Sequence, residues 1–378
     1  MREALKGVNV LEVGTMTPGK YTGYLLCGWG AESLRVERPG EAGRLSTEDL
    51  LLNKGKRSLT LNLRAPEGRD ALLRLAANAD VLMESYRPGV AARLGIDDAA
   101  VRSINPGIVY CSLSGFGQQG PDAVRPAYDL LFQAETGFSH LLTPPGAAPS
   151  PPRAFLSDAV SGLMAAFAIA AALRGREATG EGRCIDLSAQ ESLLSLLSVS
   201  HGTTGADGRS AGAESEAWAR RPAYDIYPAG DGRYVAIGAT RPSSCQALFA
   251  HLGRPELADG ATRAGPDGDE AAAFLRECLS GKPAQVWVEE LAALDIEAAR
   301  VNTPAEALDL PQVKLRGMAI DSIHPQAGAL RQIGVPAVGI DAAPLPPAPA
   351  VGADTDAVLA EVGYDGAAVA AMRASGTI

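Results

Sequence analysis

The residues best suited to chemistry lie in the stretch 153–188, where a lone carboxylate, Asp158, is followed by no further charge until Arg174. Ser157 and Asp158 read as the N-cap of a helix and Gly175 as its stop, and residues 159–173 between them are apolar on every face apart from Ser161 and Gly162. A helix that is apolar all round is a buried helix. An acid at the positive end of such a helix stands where backbone N–H groups stabilise the anion while little water competes for its oxygens. That setting suits a carboxylate nucleophile. A plain capping role for Asp158 is the alternative reading of the same residues.

Other chemistries find less support. Residues 115–120 (GFGQQG) fit the spacing G-x-G-x-x-G and follow an apolar run, but Pro121 and a polar stretch come next, where a dinucleotide fingerprint requires a helix. The segment reads as a flexible loop, and no acidic residue ends a following strand to hold a ribose. Neither G-x-x-x-x-G-K-[ST] nor H-E-x-x-H occurs, and His140, His201, His251 and His324 lack ligand spacing, so no metal is expected.

The elements that must position Asp158 are those of an α/β protein. Short apolar runs at 8–13, 33–37, 59–63, 81–84, 108–113 and 185–187 alternate with helical patterns such as 20–27 and 67–77. Such alternation predicts a mostly parallel sheet covered on both faces, with its active site beyond the carboxyl ends of the strands. The loops starting at Gly14, Ser85 and Ser114 should therefore meet. From about residue 202 the texture changes to a Gly/Ala/Ser/Glu-rich stretch, followed by a predicted strand at 234–239 and helices at 243–252 and 271–279. The expected organisation is a large domain at 1–200, a flexible linker at 201–219, a small α/β domain at 220–320, and a connector with a C-terminal return to the large domain at 321–378.

With 378 residues, 46% of them hydrophobic and 21% charged, the chain has ordinary globular composition and is long enough for two domains. No run reaches the length of a membrane span and the first residues lack the apolar core of a signal peptide, so a cytoplasmic protein without membrane attachment is expected. Cys27, Cys111, Cys184, Cys245 and Cys278 are odd in number and embedded in apolar segments, as reduced core thiols would be. A net charge of −10 argues against nucleic acid as a partner. Against that balance, Arg35, Arg38, Arg44, Lys54, Lys56, Arg57 and Arg64 make a locally cationic stretch that would attract a small anion; an ordinary solvated loop is the alternative.

Many segments in one order carry a resemblance: GVNVLEV at 7–13, GWGAESLRVERP at 28–39, NKGKRSLTLNL at 53–63, ESYRPG at 84–89, RPAYDLLFQ at 125–133, TGEGRCIDLS at 179–188 and the stretch 352–364. Together they resemble the class III coenzyme A transferases, the CaiB/BaiF or formyl-CoA transferase-like family, in register from residue 7 almost to the C-terminus. The resemblance implies a Rossmann-like large domain with a smaller α/β domain, an interlocked homodimer, and coenzyme A as substrate with no cofactor. It also implies an enzyme that moves CoA from an acyl-CoA donor to a carboxylic acid acceptor.

By the same resemblance Asp158 is the nucleophile that attacks the thioester, giving a mixed anhydride and then an enzyme-bound CoA thioester. Arg38 matches a phosphate-contacting arginine, Leu61 and Arg64 fall in the adenine segment, and Ser85, Tyr86 and Arg93 match positions along the nucleotide and pantetheine. Guanidinium groups suit that task because they bond phosphate oxygens in pairs. Thr17, Pro18 and Gly19, with Tyr128, fall at the acyl pocket. The backbone of Thr17 to Gly19 and of Ala159 is the expected oxyanion site, and the loop 115–120 the expected lid.

The family also contains racemases and hydratase-like enzymes acting on 2-substituted acyl-CoA, in which the aspartate serves as a general base. In the racemases a histidine stands where this chain has Tyr128, and a phenol, with an ordinary pKa of ~10, is a poor second base at neutral pH. The transferase reading is therefore preferred. In the formyl-CoA transferase-like members a glutamine occupies the position of Thr17 and a glycine-rich loop the position of 214–222, so neither oxalate chemistry nor that lid carries over. Arg220 and Arg221 are expected instead to grip an acceptor carboxylate from a partner subunit.

Overall fold

The computed structural model describes residues 3–14, 16–144, 146–200, 221–337 and 344–378. The alternating apolar runs of the N-terminal half become six strands: β1 (Asn9–Val13), β2 (Glu32–Glu37), β3 (Arg57–Thr60), β4 (Val81–Glu84), β5 (Val109–Ser114) and β6 (Cys184–Ser188). Every neighbouring pair is parallel, and the order across the sheet is β3-β2-β1-β4-β5-β6. This is the doubly wound order, with its reversal between β1 and β4. The third strand departs from expectation, since its ladder ends at Thr60 while Leu61 and Leu63 continue as core residues. Apolar periodicity there follows burial rather than strand pairing.

Helices α1 (Thr17–Gly28), α2 (Thr47–Leu52), α3 (Pro66–Ala76), α4 (Val90–Leu94), α5 (Asp98–Ile104), α6 (Asp129–Glu135), α7 (Phe138–Leu141), α8 (Leu156–Thr179) and α9 (Ala189–Ser195) complete this part of the chain. Because successive strand residues face opposite ways, the sheet feeds two cores. Leu11, Leu59, Leu82 and Tyr110 pack with Leu72 and Val101 on one face, and Val10, Met83 and Cys111 pack with Leu25, Leu26, Ala165 and Ile169 of α1 and α8 on the other.

Helix α8 corrects two expectations. It continues through Gly175 and ends at Gly180, whose φ of 72° supplies the left-handed stop. Arg176, paired with Asp80 at 2.8 Å, holds the extra turn. Nor is it buried all round: Ala165, Ala166 and Ile169 face the core, whereas Leu163, Met164 and Phe167 are exposed, Phe167 at 67%. By length and composition α8 is the one described helix apolar enough to cross a membrane, but its inner face packs on α1, β5 and β6. Among the cysteines, Cys184 is exposed rather than in the core, because it opens the edge strand β6.

The chain forms two compact units, Met1–Ser195 with Leu308–Ile378, and Leu196–Ala307. The expected small-domain boundary at 320 thus shifts to 307, and the expected linker 201–219 lies outside the described residues. The second unit is an antiparallel sheet of β7 (Tyr224–Pro228), β8 (Tyr234–Gly238) and β9 (Ala298–Arg300) with its own core of Tyr227, Val235, Leu248, Phe249 and Trp287. In the first unit, the C-terminal segment adds the hairpin β10 (Ala319–His324) and β11 (Gly328–Ile333), then helices Thr355–Glu361 and Gly366–Ala374. The hairpin is fastened to α1 and to the turn before β3, where the Ile333 carbonyl accepts from Tyr24 Oη and Lys54 Nζ, both at 2.8 Å.

Candidate active site

The strand order reverses between β1 and β4, and at the carboxyl ends of these two strands the loops starting at Gly14 and Ser85 meet. The contact is tight enough to require glycine: at Gly14, with φ +105°, an added Cβ would lie 2.4 Å from Ser85 Oγ. Helices α1 and α8 both begin at this edge. They approach closely because Gly162 leaves room for the backbone of α1, its missing Cβ falling 2.8 Å from the Pro18 carbonyl. Thr22 Oγ1 then reaches both the Pro18 carbonyl at 2.8 Å and the Gly162 carbonyl at 3.0 Å. Thr17, Pro18 and Gly19 are thereby set beside the first turns of α8.

Asp158 is half-buried in the first turn of α8. The expected Ser157 cap is absent, for Phe155 occupies the N-cap position and offers no side-chain acceptor. A carboxylate from α6 does the capping instead: Asp129 Oδ1 accepts from the Ser157 backbone N–H at 2.8 Å and from Ser157 Oγ at 2.7 Å. A second acid, Glu48 on α2, accepts from Thr17 Oγ1 and Lys20 Nζ, each at 2.6 Å. The Ser46–Asp49 capping box fixes α2, and Lys20 also reaches Asp49 at 3.0 Å. Burial first, and then the charges of Asp129 and Glu48, push the Asp158 carboxyl up to about 6. It is therefore mostly anionic at neutral pH, yet more basic than an ordinary carboxylate.

The cationic stretch is largely spent inside the protein. Arg35, only 1% exposed, is bonded to Glu12 at 3.0 Å and Glu37 at 3.1 Å, and Lys56 is bonded to Glu12 at 2.7 Å. Lys54 points at the Ile333 carbonyl, Arg57 pairs with Glu361 and Arg44 with Glu41. Charge counting along the sequence overstated the pull on an anion, because most of these cations answer buried acids. Arg38, Arg64 and Arg93 do remain exposed without an ion pair among the described residues, as does Arg87, a member of the ESYRPG segment that the sequence reading passed over. They follow β2, β3 and β4 at the same edge. Tyr86 is half-buried there; its hydroxyl is pushed up chiefly by burial and drawn down by the Arg38 charge. Its N–H donates to Glu84, a buried acid at the end of β4 that the sequence reading also missed.

Three expectations change. Leu61 packs inside the core at 2% exposure, so that segment presents Asn62 and Arg64 at its surface rather than the leucine side chain. The Ala159 N–H donates to the Phe155 carbonyl and is not available as an oxyanion donor; Pro18 has no N–H, which leaves those of Thr17 and Gly19. The loop 115–120 is anchored rather than flexible. Phe116 is buried against Phe132, the Gln118 N–H donates to both Asp186 oxygens at 3.0 and 3.1 Å, and the Gln118 side chain donates to Ser112 Oγ at 2.6 Å. Tyr128 stands 76% exposed immediately before Asp129. Arg220 lies outside the described residues, and Arg221 precedes β7 in the second unit. Among the described residues no group of three or more His, Cys, Asp or Glu side chains is arranged to hold a metal.

The family model described as CoA-transferase family III matches residues 5–355. An acetyl-CoA:oxalate CoA-transferase of Acetobacter aceti is 32% identical, over 84% of this chain and 85% of its own. A human alpha-methylacyl-CoA racemase is 30% identical over 96% of this chain and 94% of its own. The crystal structure of a CAIB/BAIF family protein from Brucella suis superposes with a TM-score of 0.80 at 28% identity, covering 95% of this chain and 99% of that one.

Proposed function

The chain belongs to CoA-transferase family III and is a CoA transferase, and we propose that it works through covalent catalysis at Asp158. A carboxylate oxygen of Asp158 attacks the thioester carbonyl of a bound acyl-CoA; the C–S bond breaks, CoA leaves as thiolate and a mixed anhydride remains. The thiolate attacks the aspartyl carbonyl of that anhydride, releasing the donor as a free carboxylate and leaving CoA on Asp158 as a thioester. An acceptor carboxylate then attacks this thioester to form a second anhydride and expel CoA thiolate, which takes the acceptor acyl group and frees Asp158. Each step exchanges one acyl bond for another of similar energy, so no cofactor is required. The observation that carries the reading is the position of Asp158, half-buried at a helix N-terminus beside the Thr17–Gly19 turn with its carboxyl pushed up to about 6. A more basic carboxylate is a better nucleophile and is still ionised at neutral pH.

In this reading Arg38, Arg64 and Arg93, joined by Arg87, hold the phosphates of CoA, with Ser85 and Tyr86 along the pantetheine arm and the Thr17 and Gly19 N–H groups at the oxyanion. The active unit is a homodimer: α8 presents Leu163, Met164 and Phe167 outward and α6 presents Leu130 and Leu131, a patch of apolar surface that a second copy would cover. The five unpaired cysteines agree with a reducing, cytoplasmic setting. The human relative named as a racemase makes proton transfer the competing chemistry. A screen of acyl-CoA donors against carboxylic acids, run in deuterated water with mass detection of thioesters, separates the two. New thioesters without deuterium at the α-carbon support transfer, and α-deuteration without any new thioester overturns it.

A further inference from the structure

We propose that Asp129 is a positioning residue for the nucleophile, a cross-helix cap that fixes the entry of α8 and sets a buried carboxylate against the residue that precedes Asp158. This rests on the reading of Asp158 as the nucleophile. A helix leaves its first N–H groups without intrahelical acceptors, and they are ordinarily met by the side chain just before the helix. Here that position is Phe155, which has nothing to give. Asp129 is 6% exposed and supplies the acceptor from the first turn of α6, taking both the N–H and the hydroxyl of Ser157, which is itself fully buried. Its other oxygen accepts from Gln133 Nε2 at 2.5 Å, and the same nitrogen donates to the Ala154 carbonyl at 2.8 Å. Two consecutive turns of α6 therefore clamp residues 154 and 157, one on each side of the helix start. From the inner side, Ser161 Oγ donates to the Ser157 carbonyl at 2.6 Å. Asp158, the next residue, inherits its direction from this clamp.

The arrangement is stronger than helix capping needs. A serine at the N-cap would meet the same N–H without any net charge, whereas a buried carboxylate bonded to the residue before the nucleophile also repels its anion. The charged groups acting on Asp158 are Asp129 from α6 and Glu48 from α2, both of which hold its carboxyl up, Asp129 the more strongly. Lys20 of α1 is taken up by Glu48 and Asp49. Asp129 is thus the group whose removal should both loosen Asp158 and make it less basic.

Asp129→Asn keeps the shape and removes the charge. The expected result is a kcat lowered roughly ten- to hundredfold, as for a displaced reacting group. With it, KM for acyl-CoA stays nearly constant, and the acid limb of the kcat profile moves to lower pH. Ser157→Ala removes one bond of the clamp but leaves the charge, so it should lower kcat by a smaller factor with the acid limb in place. An Asp129→Asn enzyme with unchanged kcat and an unmoved limb overturns the proposal. If that variant does not fold, Ser157→Ala decides alone, and an unchanged kcat overturns it. Loss of transfer in neither variant alongside full activity in Asp158→Ala would instead remove the nucleophile reading itself.

Discussion

At the scale of single residues, the site asks a carboxylate to be anionic, basic and half out of water at once. Those demands conflict with stability. A carboxyl held at about 6 in the folded chain and near its ordinary value when unfolded binds more protons folded than unfolded between those values, so stability falls as pH rises through that window. Asp158→Asn should therefore raise the melting temperature at pH 7 while abolishing turnover and leaving CoA affinity nearly intact. Isothermal titration and a thermal scan check both halves. In the parent enzyme kcat should fall as pH drops below about 6, where Asp158 takes up its proton. Asp158 was legible from sequence because a lone acid before a long apolar run is conspicuous. Asp129 and Glu48 were not, because each lies far along the chain and reaches the site only through tertiary packing.

Among the elements, the decisive contact is the close crossing of α1 and α8, permitted by Gly162 and tied by Thr22. An alanine at 162 would press its methyl on the Pro18 carbonyl and on the Tyr21 ring, with the nearest atoms 2.8 and 2.9 Å away. Gly162→Ala is expected to cost about 1–3 kcal/mol of stability by overpacking. By shifting the start of α8 it should also lower kcat by roughly tenfold or more. Denaturant unfolding and steady-state kinetics on the same preparation read both. Period-two and helical patterns located all six strands of the large sheet to within a few residues, since burial writes them directly into the sequence. They misplaced the end of α8, where an interior glycine resembled a stop, and they missed the β10–β11 hairpin and helix Gly366–Ala374. The buried ion pairs of Arg35 and Lys56 were read as surface charge because a sequence does not show which cation faces which acid.

At the scale of the whole molecule, the chain divides into two compact units and belongs to CoA-transferase family III, which supplies the reaction class. The outward apolar face of α8 predicts self-association: light scattering should give twice the chain mass, and Phe167→Asp should shift it toward the monomer with loss of activity. Composition and motif order made the fold class and the reaction legible. The acyl group was not, because pocket shape is set by loops from distant parts of the chain. The central claim, a covalent bond between Asp158 and the transferred groups, is tested most directly by mixing enzyme with acyl-CoA, quenching with hydroxylamine and mapping the peptides by mass spectrometry. The account predicts a hydroxamate on Asp158 and parallel loss of activity. An unmodified Asp158 peptide in enzyme that is turning over substrate would contradict it.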